Sequence, residues 1–246
     1  MLHFDEGGGL LRLDKFLSDC GVATRRETAK AVRQGQVLVN GFVANAPEQK
    51  VDETRDRVTF CGREVAWQKF IYLLLNKPAG YLSATEDGRG ATVLDLLPEE
   101  YRRMGLFPCG RLDKNTTGFL LLTNDGDLCH RLLSPKYHVE KTYLVKTKFP
   151  ISDDDIVALE GGLDLGDFMT KPCKAERRDE KVVALTITEG KFHQVKRMLE
   201  AIHNQVVSLE RIAFGGLTLP EDLTEGSYRP LTKEEQNTLY AKGNKT

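Results

Sequence analysis

Short apolar runs separated by polar turns recur along most of the chain, and they predict more strands than helices. The central run is 119–123, which follows the polar residues 115–118 and precedes a turn at 124–127. A short apolar run between turn signals is typical of a buried strand. Further strands are predicted at residues 71–75, 137–146, 181–188 and 206–214.

Helical periodicity is weaker and is scattered between these strands. We predict helices at 127–133, at 153–160 and after a capping-box pattern at 232–235. A further helix is predicted around 192–202, with an apolar face formed by Phe192, Val195, Leu199 and Ile202. Because the strands and helices do not alternate in a βαβ rhythm, the pattern favours an α+β fold with a mixed, mainly antiparallel sheet.

The first 60 residues follow a separate pattern. Leu13, Phe16, Leu17 and Cys20 have the spacing of one helix face. A capping box at 24–27 predicts that a second helix begins at Arg25. Strands are predicted at 37–39 and 42–43, joined by an Asn-Gly turn, and at 58–60.

Charge is distributed unevenly although the formal net charge is only −1. Residues 10–50 hold seven basic and four acidic side chains, and the second helix has a basic side formed by Arg25, Arg26, Lys30 and Arg33. A solvated helix face can have this pattern. A small basic region on a mildly acidic chain also suits contact with a polyanion.

Several classes of protein are disfavoured by composition. The five cysteines are far apart and lack zinc-site spacing, which suits a reducing compartment. No apolar run approaches the ~18 residues of a membrane span, and the first nine residues do not resemble a signal peptide. We therefore expect a cytoplasmic protein with no metal, no cofactor and no membrane contact. The absence of heptads favours a monomer.

Asp113 is the first candidate for chemistry, because it lies in a charged loop just before the central predicted strand. A loop carboxylate held by a rigid scaffold can face a cleft and act on a substrate. An aspartate in a turn also commonly binds its own backbone. This stretch alone leaves both interpretations open.

Longer motifs resemble known families. Residues 12–41, RLDKFLSDCGVATRRETAKAVRQGQVLVNG, are similar to the S4-like RNA-binding domain. The segments NKPAG (76–80), GRLDKNTTGFLLLTNDG (110–126), EKTYLV (140–145) and EGKFHQVKRM (189–198) resemble the RsuA family of pseudouridine synthases, which isomerise a uridine in ribosomal RNA. The resemblance implies an RNA-binding domain at 10–62, a linker at 63–69 and a catalytic domain at 70–242.

The resemblance also implies roles for individual residues. Asp113 would be the nucleophile, Lys196 would pair with it and keep it ionised, and Tyr143 would stack on the target base. Arg197 competes with Lys196 for the pairing role. Contacts with RNA are expected from Arg25, Arg26, Lys30, Arg33, Lys77, Arg111, His193 and Arg197.

One leading functional assignment and two alternatives follow from these motifs. The segment HQVKRM, with His193 and Lys196, resembles enzymes that act on small-subunit ribosomal RNA. A large-subunit enzyme is the first alternative, and a non-catalytic factor for ribosome assembly is the second. The set of Asp113, Tyr143 and Lys196 argues for catalysis, since a binding module does not need a carboxylate facing a polyanion.

Overall fold

The computed structural model describes residues 9–243, and the chain divides into two compact units. The first unit runs to Ile71 and also includes Leu97–Leu106, whereas the second comprises Tyr72–Leu96 and the chain from Phe107 onward. Residues 1–8 and 244–246 are outside the described part, and so is most of the nine-residue segment that does not resemble a signal peptide. Within residues 9–243, no helix is long and apolar enough to cross a membrane.

The first unit joins three helices to short strands. Its elements are β1 (Leu10–Arg12), α1 (Leu13–Asp19), α2 (Arg25–Arg33), β2 (Val37–Val39), β3 (Phe42–Val43), β4 (Lys50–Asp52), β5 (Val58–Phe60), β6 (Arg63–Val65) and α3 (Glu99–Arg103). Strands β3, β2, β5 and β6 form an antiparallel sheet in that order, and β1 pairs with β4. The predicted helices and strands are confirmed, but β1, β4, β6 and α3 were not predicted.

Strand β6 bears on the predicted linker. Arg63–Val65 forms a strand that pairs with β5 of the first unit. Trp67, which follows, stacks on Phe16 with ring centroids 5.4 Å apart and 20° between the ring planes. Trp67 therefore packs against the core of this unit. The domain boundaries at 62 and 70 stay predictions.

The second unit is built on one mixed sheet. Its elements are β7 (Tyr72–Lys77), a 3₁₀ helix (Val93–Leu96), β8 (Phe107–Pro108), β9 (Thr117–Thr123), α4 (Gly126–Leu133), a 3₁₀ helix (Pro135–Tyr137), β10 (Lys141–Thr147), α5 (Asp153–Gly161), β11 (Lys174–Asp179), β12 (Val182–Ile187), α6 (Gln194–Ala201), β13 (Val206–Phe214), β14 (Leu217–Thr218), β15 (Tyr228–Pro230) and α7 (Lys233–Gly243). The strand order is β11-β12-β10-β13-β9-β7-β15. All these pairs are antiparallel except β9 with β13, so the predicted mainly antiparallel sheet is confirmed.

Two predicted elements begin later than the sequence indicated. The strand predicted from residue 137 begins at Lys141, because Pro135–Tyr137 is a 3₁₀ helix and His138 is left-handed. The helix predicted around 192–202 begins at Gln194. Phe192 lies before it and is 75% exposed, so its placement on an apolar helix face was wrong.

The central strand β9 explains the unbroken apolar run that predicted it. It lies between β7 and β13, and its side chains from Phe119 to Leu122 are fully buried. A strand covered on both faces can be apolar at every position rather than at alternate ones. The loop that carries Asp113 enters this strand directly and is therefore attached to a buried strand in the interior of the sheet.

Gly118 makes the entry into β9 possible. It pairs in parallel with Arg211 of β13 and has a φ of 98°, in the region that favours glycine. A Cβ atom at this position would lie 2.4 Å from the Arg211 carbonyl oxygen and 2.9 Å from its nitrogen. Gly118, the second residue of β9, is thus fixed by the close approach of two backbones.

We predict that Gly118→Ala lowers the free energy of unfolding by at least about 2 kcal/mol, because backbone atoms cannot move aside cheaply. Urea denaturation measures the change. Gly126→Ala is the matched control, since its Cβ would meet nothing within 4 Å and its φ is not positive. Equal stability of the two variants would contradict this account of Gly118.

Candidate active site

Asp113 lies in a tight turn, but its carboxylate is not the group that closes the turn. The backbone carbonyl of Asp113 accepts a hydrogen bond from the Thr116 N–H at 3.0 Å. Among the described residues, the carboxylate contacts Lys196, whose Nζ is 2.5 Å from Oδ2, and His193, whose Nε2 is 3.6 Å from Oδ1. The interpretation of Asp113 as an ordinary turn residue therefore loses its basis, because the side chain faces other elements.

Helix α6 decides between the two cations that sequence analysis left open. Lys196 is directed at Asp113, whereas the guanidinium of Arg197 pairs with Asp167 and donates to the Leu165 carbonyl at 2.8 Å. Adjacent helical residues diverge by about 100° around the axis, so only one of the two can face the carboxylate. Lys196 is the partner of Asp113.

His193 holds an unusual backbone conformation at the N-cap of α6. Its φ of 51° and ψ of 27° are left-handed, which is uncommon for a residue other than glycine or asparagine. The distance of 3.6 Å to Asp113 is too long for a hydrogen bond. His193 thus borders the carboxylate without binding it directly.

These residues meet in a cleft of the second unit. Tyr143, on β10, is only 8% exposed and lines the cleft, whereas Arg111 is exposed at its edge. The cleft is lined by Arg111, Leu112, Asp113, Thr116, Tyr143, Ile187, Gly190, Lys191, His193, Gln194, Val195, Lys196 and Leu209. It therefore collects the three predicted catalytic residues with Arg111 and His193.

Lys77 has a different role from the one predicted. It is fully buried at the end of β7, and its Nζ donates to three carbonyl oxygens: Pro78 at 3.0 Å, Lys114 at 3.1 Å and Thr116 at 2.9 Å. All three donors of an ammonium group are then satisfied. The predicted RNA contact of Lys77 is therefore wrong for this structure, since the ammonium is directed into the loop that carries Asp113.

Two further groups, from the residues that follow β7, bind the loop that carries Asp113. The Gly80 N–H donates to the Lys114 carbonyl at 2.8 Å. The Ser83 hydroxyl donates to the Leu112 carbonyl at 3.0 Å and accepts from the Leu112 N–H at 3.1 Å. Sequence analysis missed Ser83, because a serine in a polar stretch gives no signal of a distant backbone partner.

Burial lowers the pKa of Lys77 to about 8, and the nearby charge of Asp113 opposes part of that shift. An ammonium group removed from water is disfavoured, although its carbonyl partners compensate.

Cys109, four residues before Asp113, is fully buried with its Sγ 3.9 Å from the Cys129 carbonyl. The contact with Cys129, together with burial, raises the pKa of the Cys109 thiol, which makes it unsuited to act as a nucleophile.

The four basic residues predicted on α2 lie in the first unit. Thr28, Ala31 and Val32 are buried beneath the helix, whereas Arg25, Arg26, Lys30 and Arg33 are all exposed. The helix begins with the predicted capping box between Thr24 and Glu27. The basic side chains thus share a solvent-facing surface, and their contact with RNA stays a prediction.

Comparison with known proteins gives two family matches. A family described as RNA pseudouridylate synthase matches residues 71–201, and the S4 domain matches residues 11–58. The chain is 50% identical to "Uncharacterized RNA pseudouridine synthase YtzG" of Bacillus subtilis, over 93% of this chain and 98% of that protein. It is 41% identical to "Ribosomal small subunit pseudouridine synthase A" of Escherichia coli K12, over 92% and 98% respectively.

A solved structure agrees with these matches. It is described as "Crystal structure of pseudouridylate synthase", and its sequence is 40% identical. The similarity covers 93% of this chain and 99% of that one, with a TM-score of 0.67. Both units of the chain are therefore included in the similarity.

We predict that Lys77→Met lowers the free energy of unfolding by on the order of 2 kcal/mol, because buried carbonyl oxygens lose their donor. It should also lower the catalytic rate by disordering the Asp113 loop. Chemical denaturation and enzyme assays measure the two effects. Lys114→Met, at an exposed side chain of the same loop, is the control. An undiminished stability would refute the proposed role of the ammonium.

The stability difference between the wild type and Lys77→Met should depend on pH. Between the folded pKa of about 8 and the ordinary value of 10.5, the unfolded wild type binds a proton at Lys77 that the folded protein has released. Stability rises with pH where the unfolded state binds more protons. Hence the wild type should gain stability relative to the variant as the pH rises through this window. A constant difference across the window would contradict the lowered pKa of Lys77 in the folded protein.

Proposed function

The chain belongs to the RNA pseudouridylate synthase family, and on that basis we propose that it isomerises one uridine of small-subunit ribosomal RNA to pseudouridine. The observation that carries the proposal is the Asp113 carboxylate, which lies in a cleft 2.5 Å from the Lys196 ammonium. Family membership makes the chain an RNA pseudouridine synthase, which is an isomerase. The position of the target in small-subunit RNA and the roles of individual residues are the proposed part.

The isomerisation breaks the bond between C1′ and N1, turns the uracil and joins its C5 to C1′; C5 then loses its proton and N1 gains one. The reaction needs a group that can stabilise or trap the electron-poor intermediate, and a carboxylate performs this role in glycoside cleavage. Asp113 is the carboxylate that the cleft offers for attack. Attack on the sugar carbon and attack on the base are both compatible with its position.

The neighbours of Asp113 supply charge and shape. Lys196 stabilises the ionised carboxylate until it reacts. Tyr143, almost entirely buried in the cleft wall, stacks on the target base and offsets part of the cost of taking it out of the RNA stack. Arg111, exposed at the cleft edge, holds the phosphate of the extruded nucleotide or fills the place the base has left.

The S4 domain supplies binding without chemistry. Exposed arginine and lysine side chains on α2 suit contacts with phosphate groups, which position an RNA but carry little sequence information. Arg25, Arg26, Lys30 and Arg33 therefore contribute affinity. Specificity for one uridine must come from contacts made closer to the reacting base.

The choice of the small-subunit RNA rests on relatives and on the third motif. The similar proteins of Escherichia coli and Yersinia pestis are named for the small ribosomal subunit. The residues His193 and Lys196 fit the same assignment. We also propose that the protein acts in the cytoplasm as a monomer, on naked RNA or on a ribosome assembly intermediate.

Pseudouridine mapping in cells that lack the gene tests the function. We predict that one small-subunit position loses its pseudouridine, that the wild-type gene restores it and that Asp113→Asn does not. A lost position in the large-subunit RNA would overturn the substrate assignment and leave the enzyme class intact. Full restoration by Asp113→Asn would instead favour a non-catalytic assembly role.

The salt dependence of RNA binding tests the S4 domain. We predict that replacing Arg26 and Lys30 with glutamine lowers the magnitude of the slope of log K against log salt by roughly 1.4 to 1.8, since each phosphate contact contributes about 0.7 to 0.9. The matched double variant replaces Lys15 and Arg57, which already pair with Asp19 and Glu64. If both pairs of substitutions change the slope equally, α2 is not the phosphate-binding surface.

A further inference from the structure

Phe192 is a large apolar side chain that the proposed chemistry does not use. It is 75% exposed, although it lies directly between Lys191 and His193 of the cleft lining. Its ring stacks on the imidazole of His193, with centroids 3.8 Å apart and 18° between the planes. The Phe192 ring thus covers one face of the His193 imidazole, and most of the Phe192 side chain is exposed to solvent.

The segment that presents Phe192 is held firmly on both sides. Gln194, only 4% exposed, accepts from the Lys191 N–H at 3.1 Å and donates to Glu189 at 2.9 Å. On the other side, the left-handed His193 accepts the Arg197 N–H at 3.0 Å and so begins α6. A non-glycine residue held in this conformation at a cleft is typical of strain retained for function. The backbone on both sides of Phe192 is therefore held in place, and the ring itself rests on His193.

Two cations near Phe192 in the chain, Lys191 and Arg197, contact a second aromatic ring, that of Phe168. The Lys191 Nζ is 5.7 Å from the centre of the Phe168 ring, and the Arg197 guanidinium is 5.1 Å from it. Interleaved basic and aromatic side chains are the pattern that binds single-stranded nucleic acid, where bases stack and phosphates pair. An exposed ring next to the Lys191 ammonium suits a nucleobase, whose neighbouring phosphate can pair with that charge, better than an apolar protein surface.

We propose that Phe192 is a stacking platform for the base of a nucleotide next to the target uridine. The inference rests on the proposed function, because it requires an RNA in the cleft. Phe192 then acts in binding rather than in the chemical step.

The position of the ring distinguishes a neighbouring base from the target base. His193 lies next to Asp113, with 3.6 Å between Nε2 and Oδ1, and Phe192 lies on the imidazole. A base on the free face of Phe192 would be separated from His193 by a whole ring, and so could not also be the base that reacts at Asp113. The target base remains with Asp113 and Tyr143, and Phe192 receives the next nucleotide along the strand.

The test uses the full-length protein and an RNA oligonucleotide that spans the mapped uridine. We expect Phe192→Ala to raise KM about ten-fold with little change in kcat, within the range found for one stacked base. Phe192→Tyr should keep the wild-type KM, whereas Phe192→Leu, which retains apolar bulk but no ring, should resemble the alanine variant. Phe149→Ala is the matched control, because Phe149 is also exposed beside a lysine but is not part of the cleft lining.

Abasic substrates identify the partner of the ring. An abasic nucleotide directly 5′ or 3′ of the target should raise the wild-type KM at one of the two positions by the same factor as Phe192→Ala. The same substrate should cause no further loss in that variant, since the interaction is then already absent. Independent losses that multiply at both positions would overturn the proposal.

The outcomes separate this inference from the proposed function. If wild type is active and Phe192→Ala behaves like Phe149→Ala, the stacking role is wrong and the enzyme assignment stands; Phe192 would then be available to a protein partner. If the wild type forms no pseudouridine in either ribosomal RNA, the proposed function fails and the stacking role falls with it. A ten-fold rise in KM for Phe192→Ala, with a wild-type KM for Phe192→Tyr, supports both the stacking role and the proposed function.

Discussion

A buried ammonium group fixes the loop that carries the reacting carboxylate. Lys77 has no exposed surface, and its three hydrogen bonds go to the carbonyls of Pro78 and of Lys114 and Thr116, which follow Asp113 in the loop. Hydrophobic packing could not hold so polar a loop, because its backbone carbonyls need donors when they are removed from water. The rigid strand β9 then sets where the loop ends, through the close contact between Gly118 and Arg211.

This arrangement separates support from chemistry within one small region. Lys77 and Ser83 bind the backbone around Asp113 and leave its carboxylate free to face the cleft. Lys196 approaches the same carboxylate from α6 and supplies the opposing charge. Lys77 thus fixes the backbone of the loop, and Lys196 offsets the negative charge that the loop places beside the RNA substrate.

The sequence predicted elements whose signals are local and failed where distant partners decide. The capping box of α2 and the apolar run of β9 were each sufficient to predict the element, because each signal depends only on neighbouring residues. The edge strand Lys174–Asp179 was missed, since only Ala175 in it is buried and the pattern looks like a charged loop. Lys77 was misassigned because carbonyl partners at residues 114 and 116 have no sequence signature. Phe192 was misassigned because the left-handed His193 starts the helix later than the periodicity indicates.

The central claim is that Asp113 reacts while the surrounding residues bind and position the RNA. The most direct test is a single-turnover rate measurement on the spanning oligonucleotide for wild type and Asp113→Asn, with RNA affinity measured for both. The account predicts a rate loss of at least about 10³-fold with nearly unchanged affinity, since the amide keeps the shape and loses the nucleophile. A rate within ten-fold of wild type, or an equal loss of affinity and rate, would contradict it.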